Sequence, residues 1–278
     1  MLSSTDTKNK QIVNAMKFFI NHKNISITKC ANKFNINRQT LSRHLSKINE
    51  LEDRRAYKVN ESFFDVIDTE QKAYWLGFLT ADGYINKHGQ VGLAISEKDI
   101  THVEKYKKDI MAEHPIKTEK NNKSVFSNNS GLAVIKIENK HLYQSLISHG
   151  FAINKTMKET PANIPNDLIR HYIRGIFDGD GWFSTSGYCH EIGFGMGKDI
   201  LEYIKNIFEL KLNVKKYAIR QYKTIFRYRI TSKKEIDKIL NFFYQDATVF
   251  LERKYKKYLE YSRLKSMSEE DLRLLSRD

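Results

Sequence analysis

Apolar residues in the first fifth of the chain recur every three to four positions, which is the spacing of a buried helix face. This pattern predicts an amphipathic helix over residues 8–21. A second helix is expected to begin after Ser26 and a third after Asn37, because both residue types cap helix N-termini well. Asn35 predicts a turn between these helices, since asparagine tolerates the left-handed backbone that glycine usually supplies.

The third predicted helix has two different faces. Leu41 and Leu45 face inward. The other face carries five polar or basic residues: Arg38, Gln39, Thr40, Ser42 and Arg43. Such side chains reach base edges or phosphates from a helix in the DNA major groove. Residues 1–50 therefore look like a helix-turn-helix DNA-binding domain, and the alternative is a basic three-helix bundle that docks onto another protein.

Most of the remaining chain is an internal repeat. Residues 74–84, YWLGFLTADGY, recur as residues 172–182, YIRGIFDGDGW. In both copies an alternating strand, a Lys-Asp-Ile tripeptide and a helix follow, and then another strand and helix. We expect an α+β fold in which a helix-strand-strand-helix-strand-strand-helix unit occurs twice. The expected boundaries are a linker over 51–70, the two repeats over 71–160 and 161–262, and a tail over 263–278.

Small residues lie one turn apart in both repeated helices. Gly77 and Ala81 form such a pair in the first helix, and Gly175 and Gly179 form one in the second. A strip of small side chains lets two helix backbones approach closely, which larger residues prevent. We therefore expect the two repeated helices to pack against each other.

Each repeated helix ends in Asp-Gly, at Asp82-Gly83 and Asp180-Gly181, and the glycines are suited to a left-handed cap. Two carboxylates about 5 Å apart repel by roughly 3 kcal/mol at an effective dielectric near 20. Divalent cations held by oxygen ligands would offset this repulsion, and Mg²⁺ pairs suit in-line phosphodiester hydrolysis. The alternative is that both aspartates are ordinary turn residues.

Composition indicates the class of partner. With 47 basic and 33 acidic residues the net charge is +14, which favours a polyanion such as DNA, RNA or an anionic membrane surface. No apolar run approaches the roughly 18 residues of a membrane span, and the first residues lack a signal-peptide pattern. We therefore expect an intracellular protein. Cys30 and Cys189 lack the neighbours of a zinc site or a disulfide framework.

Two predicted strands near the C-terminal end carry basic residues on one side. Apolar residues alternate with Arg227 and Arg229 in one of them. In the other, three residues share a side: Lys216, Arg220 and Tyr222. A cationic sheet face suits phosphates and guanine edges in a major groove. The alternative is an ordinary solvated strand face.

The repeated motif resembles that of the LAGLIDADG homing endonucleases, in the single-chain form with two motif copies. The resemblance covers residues 60–262 and is most specific over 75–83 and 173–181. It implies two pseudo-symmetric αββαββα halves whose antiparallel sheets form a saddle over DNA. It also implies that Asp82 and Asp180 are catalytic acids that bind Mg²⁺, with Mn²⁺ as a substitute, assisted by the main-chain carbonyls of Ala81 and Gly179.

The same resemblance implies one lysine in each half near the metals. Lys155 and Lys254 occupy matching positions past the two acids, although a surface role is the default for any single lysine in a basic protein. Groups that position solvent correspond to Glu97 and Lys98 in the first half and only to Lys198 in the second. Thr80 stands where many members carry an acid.

These observations together favour a sequence-specific double-strand DNA endonuclease. Its expected partner is duplex DNA with a long, asymmetric target site, and the protein is expected to act as a monomer in the cytoplasm of a bacterial or phage-infected cell. One alternative is a transcriptional regulator that keeps the scaffold without its chemistry. Another is an intron maturase, which would bind its RNA more tightly than DNA.

Overall fold

The computed structural model describes residues 4–22, 25–48, 57–120, 131–152, 160–186 and 189–266. The chain divides into two compact units, residues 1–58 and residues 59–278. Among the described residues, no helix combines the length and the apolar character needed to span a membrane.

The smaller unit is a bundle of three helices: α1 (Ser4–Asn21), α2 (Ile27–Lys33) and α3 (Arg38–Ser46). Ser26 and Asn37 cap α2 and α3 by accepting hydrogen bonds from main-chain N–H groups, as the sequence predicts. Asn35 has a φ of 50°, so the predicted left-handed turn is confirmed. Helix α1 begins earlier than the predicted residue 8. The prediction missed its first turn because that turn is polar and carries no apolar periodicity.

The core of this unit explains the spacing of its apolar residues. Six side chains are buried together: Ala15, Phe19, Cys30, Ala31, Leu41 and Leu45. The thiol of Cys30 lies within hydrogen-bonding distance of the Ala15 carbonyl oxygen, at 3.4 Å. The polar face of α3 is consequently turned away from the core.

The larger unit contains two copies of the same succession of elements. The first copy comprises α4 (Glu70–Asp82), β1 (Gly83–Ile85), β2 (Gln90–Ser96), α5 (Ile100–Asp109), β3 (Ile116–Lys120), β4 (Gly131–Glu138) and α6 (Lys140–Ser148). The second comprises α7 (Ile169–Asp180), β5 (Gly181–Ser186), β6 (Cys189–Met196), α8 (Lys198–Leu212), β7 (Ile219–Tyr222), β8 (Ile225–Ile230) and α9 (Lys233–Tyr244), followed by α10 (Glu252–Ser266). The predicted α+β architecture with a duplicated αββαββα unit is confirmed.

Each copy forms one antiparallel sheet of four strands. The strand orders are β1-β2-β4-β3 and β5-β6-β8-β7, so the two sheets have the same topology. Their registers also correspond, since Gly92 lies opposite Lys136 in the first sheet and Gly193 lies opposite Arg229 in the second. The inner faces are apolar and the outer faces carry most of the polar side chains.

Residues 59–70, which the sequence analysis assigns to the linker, belong to the larger unit. Phe64 is fully buried, and the Asn60 N–H donates a hydrogen bond to the Ile110 carbonyl oxygen at 2.9 Å. At the other end, α10 continues to Ser266, past the expected boundary at residue 262.

Candidate active site at the paired helix ends

Helices α4 and α7 pack against each other through their glycines. A Cβ at Gly77 would overlap the Tyr172 carbonyl oxygen, and a Cβ at Gly175 would overlap the Tyr74 carbonyl oxygen. Only glycine leaves room for such close backbones. The predicted contact between the small-residue strips is therefore present, and it brings the two halves together along their repeated helices.

This contact brings the two helix C-termini together. Asp82 is the last residue of α4 and Asp180 is the last residue of α7. A Cβ at Gly179 would lie 3.1 Å from the Asp82 Oδ2 atom, so the Asp82 carboxylate lies beside the last turn of α7. Asp82 is half-buried and Asp180 is exposed. Both acids stand at the same end of the helix pair.

The glycines after these acids do not adopt the left-handed caps that we predicted. Gly83 has φ −73° and ψ 163°, and Gly181 has φ −81° and ψ 161°, which is extended backbone open to any residue. Their requirement is for space. A Cβ would lie 2.7 Å from the Leu79 carbonyl oxygen at Gly83 and 2.6 Å from the Phe177 carbonyl oxygen at Gly181. In each half the chain passes directly from helix to strand immediately after the acid.

Lys254 lies in the first turn of α10 and is buried against the end of α7. Its ammonium donates hydrogen bonds to the carbonyl oxygens of Phe177 and Gly181, the latter at 2.6 Å. Burial lowers the pKa of Lys254 to about 8, although the negative charges of Asp178, Asp82 and Asp180 act in the opposite direction. Both helix-end acids are thus close enough to stabilise this charge. Its predicted counterpart, Lys155, lies outside the described residues.

A buried carboxylate outside the set of predicted site residues supports this lysine. Asp178 accepts hydrogen bonds from the hydroxyl groups of Tyr74 at 2.8 Å and Tyr244 at 2.7 Å, and from the Leu251 N–H at 2.7 Å. Burial raises the pKa of Asp178, and Lys254 and these donors oppose that shift. By holding Leu251, Asp178 fixes the start of the helix that carries Lys254.

Arg174, one turn before Asp178, fastens the same segment from a second point. Its fully buried guanidinium donates to the carbonyl oxygens of Val249 and Phe243, at 3.0 and 2.8 Å, and to the Glu70 carboxylate at 2.6 Å. Glu70, on α4, also accepts from the Thr248 N–H at 2.8 Å. The signal in the sequence was an arginine whose immediate neighbours in the motif helix are apolar residues or glycine.

The first half lacks an acid at the position of Asp178. Thr80 stands there, and its hydroxyl donates to the Leu76 carbonyl oxygen of its own helix at 2.8 Å. The two halves are therefore chemically different close to the helix ends, in spite of their common topology.

The predicted solvent-positioning residues lie just after the second strand of each sheet. Glu97 is exposed and accepts a hydrogen bond from the Thr118 hydroxyl at 3.4 Å. Lys98 is exposed as well, and Lys198 forms an ion pair with Glu202 of its own helix at 3.4 Å. Each of them can therefore contact solvent.

The outer face of the second sheet carries the predicted basic side chains. Arg227 and Arg229 project from β8, and Arg220 and Tyr222 project from β7; all four are exposed. Lys216 is exposed too, but it precedes β7, which begins only at Ile219. The predicted strand was too long because the chain before Ile219 runs outside the strand ladder, which Ile219 begins by pairing with Tyr228.

In the smaller unit the predicted DNA-binding face of α3 is open to solvent. Arg38, Gln39 and Arg43 are exposed, whereas Thr40 and Ser42 are half-buried. Lysine and arginine side chains in such positions can approach phosphates without disturbing the helix packing.

The helix ends offer oxygen ligands of the kind that Mg²⁺ prefers. The described residues contain no group of three or more His, Cys, Asp or Glu side chains arranged to hold a metal. Two carboxylates with two main-chain carbonyls remain a suitable set, because Mg²⁺ keeps several water ligands and uses one or two protein carboxylates. Asp82, Asp180, Ala81 and Gly179 fit that requirement.

Comparisons with known proteins found matches for both units of the chain. Residues 4–54 match the model of the Mga helix-turn-helix domain. No curated protein matches the sequence. Among solved structures, I-SmaMI bound to an uncleaved DNA target in the presence of calcium ions is 13% identical, with a TM-score of 0.51 over 76% of this chain and 97% of that one.

Two further solved structures are similar. The I-LtrWI LAGLIDADG homing endonuclease bound to target DNA is 16% identical, with a TM-score of 0.51 over 75% of this chain and 96% of that one. The N-terminal LAGLIDADG domain of DUF199/WhiA is 16% identical, with a TM-score of 0.46 over 71% of this chain and 92% of that one. The chain thus combines an N-terminal helix-turn-helix domain with a larger unit that has the fold of the LAGLIDADG homing endonucleases.

Proposed function

We propose that this protein is a sequence-specific DNA endonuclease that hydrolyses one phosphodiester bond in each strand of its target. The observation that carries this proposal is the position of Asp82 and Asp180 at adjoining helix ends, where the buried Lys254 donates a hydrogen bond to the Gly181 carbonyl oxygen, next to Asp180 in the chain. Carboxylates that can hold metal ions and a fixed positive charge nearby are groups that can stabilise the transition state of phosphodiester hydrolysis.

In this proposal Asp82 and Asp180 hold Mg²⁺, or Mn²⁺ in its place, together with the carbonyl oxygens of Ala81 and Gly179. When bound, the metal supplies positive charge that stabilises the attacking and leaving oxygens at the scissile phosphate. The repulsion between two adjacent carboxylates favours the binding of cations between them.

Lys254 contributes a positive charge that the chain itself positions. Its ammonium has three N–H donors, and the carbonyl oxygens of Phe177 and Gly181 fix its orientation by accepting two hydrogen bonds. Because its pKa is about 8, the group is mostly protonated at neutral pH and attracts the charged phosphate. We assign the corresponding role in the first half to Lys155. Glu97, Lys98 and Lys198 are proposed to position solvent at the periphery.

The basic surfaces supply the binding of DNA. The outer face of the second sheet and the polar face of α3 both carry exposed arginines suited to phosphates and guanine edges. I-SmaMI and I-LtrWI have structures bound to DNA targets, and we extend that mode of binding to this chain. Two unlike halves in one chain fit a protein that acts as a monomer and recognises a long, asymmetric DNA site. We place this activity in the cytoplasm.

The proposal is tested by Asp82→Asn and Asp180→Asn. Each variant should lose double-strand cutting of a selected target in Mg²⁺, because asparagine is a poorer metal ligand, and each should still bind that target without metal. Incubation with a randomised duplex library, followed by sequencing of cut ends, identifies the target, and gel-shift titration measures binding. Asp246→Asn is the matched control, since Asp246 is exposed and has a φ of 56°, which asparagine tolerates.

Normal cutting by either helix-end variant would refute the assignment of the site. Binding to a defined duplex without nicking in any divalent metal would instead identify a regulator on this scaffold. Tighter binding to a structured RNA than to any duplex DNA would favour the maturase.

A further inference from the structure

A groove of about 550 Å³ lies on the outer face of the second sheet. Its lining combines arginines, aromatic rings and one carboxylate: Arg220, Arg227, Arg229, Trp182, Tyr222 and Glu191. The DNA binding proposed above needs positive charge on this sheet face, but it does not need a carboxylate there.

The arginines of the groove repel one another in the free protein. Arg220 lies directly opposite Arg227 in the ladder between β7 and β8. Like charges opposite each other on neighbouring strands are destabilising. This arrangement therefore favours the binding of a ligand that carries hydrogen-bond acceptors, such as a phosphate or a guanine edge. The guanidinium carbon of Arg227 is 4.1 Å from the Tyr222 ring centroid, which holds that arginine over the ring.

Glu191 fixes the third arginine. One of its carboxylate oxygens accepts a hydrogen bond from the Trp182 indole N–H at 2.9 Å, and the other faces an Arg229 guanidinium nitrogen at 3.3 Å. The indole lies flat across Gly193, where a Cβ would lie 2.5 Å from a ring carbon. The tryptophan therefore anchors one oxygen of the carboxylate, and the other oxygen contacts the guanidinium.

The first sheet has no equivalent cluster in its described part. Tyr84 lies across Gly92 as Trp182 lies across Gly193, but the residue opposite Gly92 is Lys136, which pairs with Glu119 at 2.6 Å. The position that corresponds to Arg227 is occupied by the buried Val134. Oriented guanidinium groups on the outer sheet face are thus a property of the second repeat.

We propose that Glu191 is a specificity-determining residue, which orients Arg229 so that its guanidinium reads a guanine in the half of the DNA target bound by the second sheet. Contacts to phosphate need charge but little orientation, whereas two parallel hydrogen bonds to guanine O6 and N7 need a fixed fork. A carboxylate on this face weakens binding to every DNA sequence, so its benefit lies in discrimination. This inference rests on the proposed binding of DNA.

The test compares Glu191→Gln and Arg229→Lys with the full-length wild type. Targets are selected from a randomised duplex library in buffer with EDTA, and affinities are then measured for the selected duplex and for single G·C to A·T replacements. Wild type should prefer one guanine in the second half-site by about tenfold, and both variants should reduce that preference to about twofold.

The two variants should differ in their response to salt. Glu191→Gln removes a negative charge, so it should bind unrelated duplex more tightly and with a steeper salt dependence. Arg229→Lys keeps its charge and should leave the salt dependence unchanged. A residue that only supported the fold would not increase non-specific affinity. Glu202→Gln, which removes the same charge from the exposed surface of α8, is the control.

Three results would overturn the inference. If wild type selects a target and the guanine preference survives in Glu191→Gln, or no guanine is selected in that half-site, Glu191 does not set specificity while the proposed function stands. If wild type selects no sequence at all, the proposed function fails as well. Arg229 and Glu191 are 60% and 30% exposed, so both variants are expected to fold, which thermal unfolding checks.

Discussion

Several titratable side chains are buried along the contact between α4 and α7, an uncommon place for them. Asp178 and Arg174 meet their hydrogen-bonding requirements with main-chain groups of the segment before α10 and with Tyr74, Tyr244 and Glu70. Removing one partner of such a set leaves the others desolvated and unpaired, which makes each residue costly to replace. Their position explains how a rigid setting for Lys254 is maintained.

Two buried histidines give the protein a predictable sensitivity to acid. Burial lowers the pKa of His102 to about 3, and burial together with Arg174 lowers the pKa of His171 to about 4. In the unfolded chain the two histidines have ordinary pKa values near 6.5. Between about pH 4 and pH 6.5 the unfolded chain therefore binds more protons than the folded chain. The free energy of unfolding should therefore fall as the pH drops from about 6.5 to about 4, by up to about 1.4 kcal/mol per pH unit for each histidine.

Urea unfolding across this pH range measures the effect. His102→Gln and His171→Gln should each flatten the decline, and the double variant should flatten it further. His88→Gln, on an exposed turn, should keep the wild-type slope. An unchanged slope in the double variant would mean that other groups cause the acid sensitivity.

At the scale of secondary structure, the helix pair α4 and α7 organises the larger unit. Helix α4 is buried on all sides from Ala73 to Thr80, which is why its sequence shows little amphipathic pattern. Each helix leads without a loop into the first strand of its sheet, so the acids occupy the junction of helix and strand. The geometry of the candidate site is thus fixed by helix packing.

Gly77→Ala and Gly175→Ala should both destabilise the protein. An alanine at an ordinary helix position stabilises by about 0.5–1 kcal/mol, but here each Cβ would overlap a carbonyl oxygen of the partner helix. We expect a net loss of about 3 kcal/mol in the free energy of unfolding, measured by urea denaturation. The helix ends should also separate, so any residual folded protein should cut slowly.

Gly195→Ala is the matched control, because nothing lies closer than 3.5 Å to a Cβ built there. It should leave the unfolding midpoint nearly unchanged. If the helix variants were as stable as this control, close packing of α4 on α7 would not be a requirement of the fold.

At the scale of the whole molecule, two compact units each present a basic surface. The smaller unit offers the polar face of α3, and the larger unit offers the outer face of its second sheet. Recognition elements in separate units add binding energy and extend the length of DNA that is read. This arrangement agrees with the long target site that we propose.

The contribution of the smaller unit is tested by the double variant Arg38→Gln, Arg43→Gln. Loss of two phosphate contacts should weaken binding to the selected target and reduce the steepness with which log affinity falls with log salt by about 1.8. The position of the cut should not change, since the helix-end acids are intact. Gel-shift titrations at several salt concentrations and mapping of cut ends provide both readouts.

Lys8→Gln, Lys10→Gln removes the same charge from α1 and serves as the control. Its salt slope should stay closer to that of wild type than the slope of the α3 variant does. Equal effects of the two pairs would show that the unit contributes only general charge.

Features that short segments encode could be predicted from the residues alone. Capping by Ser26 and Asn37, the left-handed Asn35 and the glycine strips of the repeated helices depend on residue type and local spacing, and all of them are present. The duplication revealed the symmetry of the fold, because two copies of one pattern must form two copies of one structure. Both acids were placed at helix ends for the same reason.

Contacts between groups that are far apart in the sequence depend on how the folded chain packs. Glu70 accepts a hydrogen bond from the Val249 N–H although 179 positions separate the two residues in the sequence. Lys254 likewise contacts the end of α7, and no local pattern specifies either contact. The extended backbone of Gly83 was decided in the same way, since the path into β1 set its conformation rather than the glycine itself. Burial and pairing depend on the approach of segments far apart in the chain, and that approach is a property of the packed molecule.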